Sequence, residues 1–167
     1  AIGSDVIDIL SKMGTPDAVR GYINNAINDP KHALNTDKRF AGSGDVLKDI
    51  LDKTKGKQTV VVSGSGRGDY VATRARLLAD EIRKNGLTDR IHVIAQLTKS
   101  EDMFPELKPM LKGYDDVVTP IRGWMPKDLF VGVQNMGDIH MGSTGTSSLA
   151  EALSSRNILA LPQNWGW

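Results

Sequence analysis

The segments of this chain that read as strands are short apolar runs, and that one habit narrows the possible folds more than any other feature. "QTVVVS" (58–63), "RIHVIAQL" (90–97), "DDVVTPI" (115–121), "GDIHM" (137–141) and "NILALP" (157–162) show no polar-outside alternation. A strand with one wet face alternates; a strand covered on both faces does not. Between the runs lie segments of helical period: "DVLKDILDK", the long "DYVATRARLLADEIRKNG", a helix from after Pro126 to about Gln134, and one opening near Thr146. Strand and helix in turn predict a parallel sheet with helices on both faces, an α/β Rossmann-like architecture.

Ahead of Asp45 the pattern differs. "SDVIDILSKMG" offers Ser4 as N-cap and Gly14 as stop, and "TPDAVRGYINNAI" offers Thr15 as N-cap with Pro16 at the first helical position. Asn28–Gly44 is rich in turn formers and reads as a linker or irregular cover. The expected division is therefore a helical and irregular N-terminal segment, 1–44, followed by a Rossmann-like domain, 45–167. The chain starts Ala-Ile-Gly without Met and stops on "NWGW", which reads as a fragment of something longer.

Composition removes several function classes. The 167 residues carry 21 basic and 20 acidic side chains, a net charge of +1, so no broad electrostatic footprint for nucleic acid or an anionic membrane is expected. Cysteine is absent, excluding disulfides, thiolate chemistry and cysteine zinc sites, and His32, His92 and His140 are too scattered to suggest a metal centre. No apolar run approaches a membrane span and no signal peptide is visible, so the expected setting is cytoplasmic.

In an open parallel sheet, ligands bind beyond the carboxyl ends of the strands. Three loops there carry candidate chemistry. "SGSGRG" (63–68) follows the first strand; Gly64, Ser65, Gly66 and Arg67 would let backbone approach an anion at a helix start. The glycine spacing is not G-x-G-x-x-G, and no acid closes the second strand, which speaks against a dinucleotide site. A tight strand-to-helix turn that needs small residues explains the stretch equally. "GSTGTSSLAEAL" (142–153) is richer. Its Gly145 and the hydroxyls of Ser143, Thr144, Thr146 and Ser147 would form a nest for a diphosphate at a positive helix end. Glu151 lies about a turn and a half further on, placed for a ribose, or else a solvated helix glutamate or a capping partner for the Ser/Thr run. In "RGWMPKDLF" (122–130), Trp124 stands at a strand end, where an indole either stacks on a flat heterocycle or plugs loop to helix. Arg122 there, like Arg67, would add charge. The charge-rich face of "RARLLADEIRK" reads as solvated.

Order and placement of "VVVSGSGRG", "GWMPKDLF" and "GSTGTSSLAEAL…NILALP", over roughly Lys57 to Pro162, resemble the C-terminal, donor-binding domain of GT-B glycosyltransferases of the UDP-glycosyltransferase and MurG-like type. That group shows W-x-P-Q, then H-x-G-x-N-S-x-x-E or S-G-x-x-T-x-x-E, then a strand with Pro. The resemblance implies that Trp124 stacks on the base, usually uracil, and Met125 meets its edge through backbone. It implies further that Gly145, Thr146 and nearby hydroxyls hold the diphosphate and that Glu151 takes the ribose. The implied reaction is sugar transfer from a UDP-sugar to an acceptor, with no metal and no other cofactor, and with a second, acceptor-binding N-terminal domain as partner. Lys127 replaces the Gln of the pattern and Ser143 the phosphate-contacting His, although His140 is near. The Asp-Gln pair that grips the donor sugar does not follow "LPQ". Two other readings remain open: a non-catalytic nucleotide-sugar-binding or interaction domain, and a sugar-nucleotide 2-epimerase of the same architecture.

Overall fold

The computed structural model describes residues 14–63, 68–97, 104–122, 125–141 and 158–159. Its first helix, α1 (Pro16–Asn28), begins as the sequence dictates: Thr15 is extended and its hydroxyl accepts from Ala18 N at 3.2 Å, with Pro16 at the first helical position. Such a cap contributes about 1 kcal/mol. The helix expected between Ser4 and Gly14 lies outside the described residues.

Residues 28–44 are more ordered than a linker. A one-turn helix α2 (Ala33–Thr36) and a 3-10 turn (Lys38–Phe40) lead into α3 (Ser43–Lys53). Leu34 and Phe40, spaced along an otherwise polar stretch, are both buried in the core beneath α1 and α3. Asn35 ties the corner down by donating to the carbonyls of Ala26, Ile27 and Asp29.

The sheet follows. β1 (Gln58–Val62), β2 (Ile91–Gln96), β3 (Val118–Ile121), β4 (Ile139–Met141) and β5 (Ile158–Leu159) pair in parallel in the order β3-β2-β1-β4-β5. Helix α4 (Gly68–Lys84) links β1 to β2, and α6 (Lys127–Met136) links β3 to β4. Between β2 and β3 run a one-turn helix α5 (Phe104–Leu107) and a 3-10 turn (Lys108–Leu111). Each apolar run of the sequence is thus a strand, and the chain is an α/β Rossmann-like fold.

Alternate side chains explain why none of the strands alternates in polarity. Val60, Val62, Val93, Ala95 and Met141 enter one core with α4, whose Val71, Ala72, Ala75, Leu78, Ala79 and Ile82 form a single stripe at helical spacing. Val61, Ile94 and Ile121 enter a second core on the opposite face with α1, α3 and α6. Both faces are covered, so the strand residues on either side are apolar or, like His92, Thr119 and His140 on the second face, buried polar groups. Helix α6 ends on Gly137, where a β-carbon would stand 2.7 Å from Val61 Cγ2; only glycine admits the turn into β4 so close to β1. Asp138 then fixes the register, accepting from Thr59 N at 2.8 Å while its own N–H donates to Thr59 O at 2.8 Å.

The charged face of α4 is solvated with one exception. Arg83 pairs with Asp116 at 2.5 Å and stacks on Tyr114, but Arg74 is buried, its guanidinium 4.3 Å from the Tyr70 ring centroid. Among the described residues no helix is long and apolar enough to cross a membrane.

Candidate functional site

Strand order sets where the winding of the sheet reverses. From β1 the chain winds outward through β2 to β3, then returns to lay β4 on the other side of β1. Helices α4 and α6 consequently leave the sheet on opposite faces, and the carboxyl ends of β1 and β4 border the point where the winding reverses. That is where doubly wound sheets bind ligands. The sequence contains both strands but not their adjacency, because Val61 and His140, partners in the parallel register, are far apart along the chain.

The two strands are joined at this edge. Ser63 N donates to Met141 O at 2.9 Å, so the last residue before the Gly-rich stretch is bonded to the last residue before the hydroxyl-rich one. On the face covered by α6, the side chains of the same region meet: Ser63 Oγ and His140 Nε2 lie 2.6 Å apart. His140 is wholly buried, its Nδ1 has no partner, and burial pushes its pKa down to about 4. It is a neutral imidazole at pH 7. The sequence shows His140 only as one of three scattered histidines and as a near neighbour of Ser143; the available signal is its position within an apolar strand.

A second buried histidine sits deeper on that face. His92 Nε2 lies 2.8 Å from Thr119 Oγ1, and its pKa is pushed down to about 4, first by burial and then by the Lys57 and Lys53 charges. It is far back from the carboxyl edge, near the start of β2, and serves the packing of the sheet.

Beyond β3 the structure forms a cavity of about 200 Å³ between the start of α3 and the chain entering α6. Ala41, Val46, Pro120, Ile121 and Met125 supply its apolar wall, with Lys108 and Arg122 as its cations. Helix α3 starts beside it from Gly42, held at φ +84°, with no side-chain cap. Met125 and Arg122, both singled out in the sequence, therefore meet in one pocket. Met125 is 9 % exposed and packs in the core with Ile121 and Leu129.

The remaining site candidates, Gly64, Ser65, Gly66, Arg67, Trp124, Ser143, Thr144, Gly145, Thr146, Ser147 and Glu151, lie outside the described residues. What the structure establishes is where their loops begin. The 64–67 stretch leaves β1, Trp124 lies between Arg122 and Met125 of the cavity, and the 142–151 stretch leaves β4, all at the carboxyl edge of the sheet. Comparison with protein-family models, with curated proteins and with solved structures gives no match for the chain.

Proposed function

We propose that the chain is the nucleotide-sugar-binding half of a glycosyltransferase, holding a UDP-sugar at the carboxyl edge of β1, β4 and β3. The observation that carries this reading is the backbone bond from Ser63 N to Met141 O, which makes the Gly-rich and hydroxyl-rich loops spring from adjacent strands. A diphosphate is the ligand that two such loops suit: backbone N–H groups and hydroxyls, rather than a concentration of positive charge, would meet it in a protein whose net charge is only +1. Trp124, which falls in the sequence between Arg122 and Met125, would supply the surface for the base, and Glu151 the acceptor for ribose hydroxyls.

In sugar transfer the bond from the anomeric carbon to the diphosphate oxygen breaks, and charge accumulates on the departing phosphate. Fixed donors placed there before the reaction stabilise that charge without reorganising. This half of the enzyme would hold the donor and stabilise the leaving group. The acceptor and its general base would come from a second domain.

Thr146→Asp tests the reading. An acid near a helix start favours the helix by about 0.3–1 kcal/mol through the dipole, yet repels a diphosphate. The variant should keep or raise the parent's melting temperature without ligand and lose the upward shift that UDP or a UDP-sugar gives the parent by binding only the folded state. Equal shifts in variant and parent would reject the diphosphate site.

A further inference from the structure

The Ser63–His140 pair is incomplete as it stands. A hydrogen bond at 2.6 Å between a hydroxyl and an imidazole nitrogen has two possible proton arrangements. In one, Ser63 donates to Nε2 and the ring proton sits on Nδ1, a fully buried donor with no acceptor. In the other, Nε2–H donates to Ser63 Oγ, Nδ1 is left as a bare lone pair, and the Ser63 proton must find an acceptor of its own. Among the described residues no second acceptor for the Ser63 hydroxyl is present. Its backbone N–H is already committed to Met141 O, so the residue is held still while its hydroxyl can rotate.

Either arrangement strands one donor, and the two differ in where. A stranded Nδ1–H lies inside the second core, where nothing can reach it. A stranded Ser63 O–H lies one residue past β1, on the edge where the sheet's winding reverses, in a residue 5 % exposed. We propose that His140 is a positioning residue that backs Ser63 as a phosphate donor: in the ligated protein Nε2–H donates to Ser63 Oγ, and the Ser63 proton is turned outward to an anionic oxygen docked between β1 and β4. A hydroxyl that itself accepts a hydrogen bond is a stronger donor, because bonds in a chain polarise one another. The ligand class is an oxyanion, because a charged acceptor best repays a donor that is otherwise unpaired. His140 reaches the ligand only through Ser63. The proposal rests on the nucleotide-sugar reading only for the identity of the phosphate.

The test uses the protein as it is, with pyrophosphate and UDP as separate probes. Nitrogen-15 imidazole spectra of the three histidines, with His140 assigned by its absence in His140→Gln, report the tautomer directly. With saturating pyrophosphate, His140 should carry its proton on Nε2. Ser63→Ala should weaken pyrophosphate and UDP alike by about tenfold to a hundredfold, the usual worth of a hydrogen bond to a charged group. His140→Leu should weaken both by about threefold to tenfold by removing the backing donor. His140→Gln, whose amide N–H can occupy the place of Nε2–H, should recover most of that loss. A ring protonated at Nδ1 in the pyrophosphate complex overturns the proposal, as do unchanged affinities in Ser63→Ala or a failure of pyrophosphate to bind. Should His140→Leu not fold, the tautomer and the Ser63→Ala affinities decide. Pyrophosphate binding that requires Ser63, with UDP no tighter, would uphold the pair and reject the nucleotide site; UDP binding indifferent to Ser63 would do the reverse.

Discussion

His32 Nε2 and Asp128 Oδ2 meet at 2.7 Å across the joint between the N-terminal helices and α6. His32 Nδ1 accepts from Leu34 N at 3.1 Å, capping α2, so its proton must be on Nε2, which lies 2.7 Å from Asp128 Oδ2. The same oxygen accepts from the Tyr22 hydroxyl at 2.7 Å. One carboxylate in the first turn of α6 therefore holds α1 and α2 at once.

Removing that carboxylate should loosen all three elements. Asp128→Ala leaves two half-buried donors without their acceptor and should cost about 1–3 kcal/mol in denaturant unfolding, against about 0.5–1.5 for Tyr22→Phe. The phenol adds a second readout. Burial, and then Asp128, raise the Tyr22 pKa to about 12, so in Asp128→Ala its absorbance titration should move partway back toward 10, with the burial contribution remaining. A Tyr22 titration that stayed at 12 would mean that Asp128 contributes nothing to it.

Acid should destabilise the protein through its two buried histidines. His92 and His140 bind protons at pH 6.5 when unfolded but only near 4 when folded. Between those values the unfolded chain holds more protons, so stability rises with pH. The contribution is complete above about 6.5 and lost as pH falls through 4. Each histidine can add a slope of up to about 1.4 kcal/mol per pH unit in that window. Urea midpoints measured from pH 4 to 8 test this: His92→Gln should flatten the curve, and a profile level from 7 down to 4.5 would contradict it.

Gly137 is held by space rather than by backbone angle. Its φ of −73° suits any residue, but an added β-carbon would sit 2.7 Å from Val61 Cγ2 and 3.0 Å from Ile139 O. Gly137→Ala should cost about 1–3 kcal/mol by overpacking. In the Val61→Ala background the same change should cost less, since the nearer clash is gone. Additive effects in that double-mutant cycle would show that the carbonyl, not the valine, enforces glycine.

At the site itself, Trp124→Ala should weaken UDP by about 1–3 kcal/mol, the range for loss of one stacked base, while leaving pyrophosphate affinity unchanged. A proportional loss of both would make Trp124 a structural plug.

The elements were legible because each strand lies in a short, mainly apolar run and each long helix has a stripe of its own. Thr15 and Pro16 announced α1, and the five strands fall inside the five runs. Strand order was not legible, since it depends on which distant runs meet: Thr59 finding Asp138 is a tertiary event with no local signature. Leu34 and Phe40 went unread as anchors because single apolar residues in a polar stretch carry no period. Arg74 was taken as solvated for the opposite reason: its stripe position is visible, but the Tyr70 ring that shelters it is supplied by the fold. Of the site, Met125 and Arg122 could be named beforehand, and the cavity that unites them could not. The Ser63–His140 contact was hidden by the same long separation that hid the order of the strands.

Pro120 has a consequence outside the ligand question. It lies on β3, the end strand of the sheet, whose ladder to β2 includes Val93 N to Val117 O and Leu97 N to Ile121 O. Those bonds turn the peptides of 117, 119 and 121 inward, so residue 120 faces away from the sheet. Proline there costs the ladder nothing and deletes an outward-pointing N–H at the middle of the strand. A second sheet edge approaching β3 would find its hydrogen-bond register interrupted. The same four-residue strand that walls the cavity is thereby a poor template for intermolecular growth.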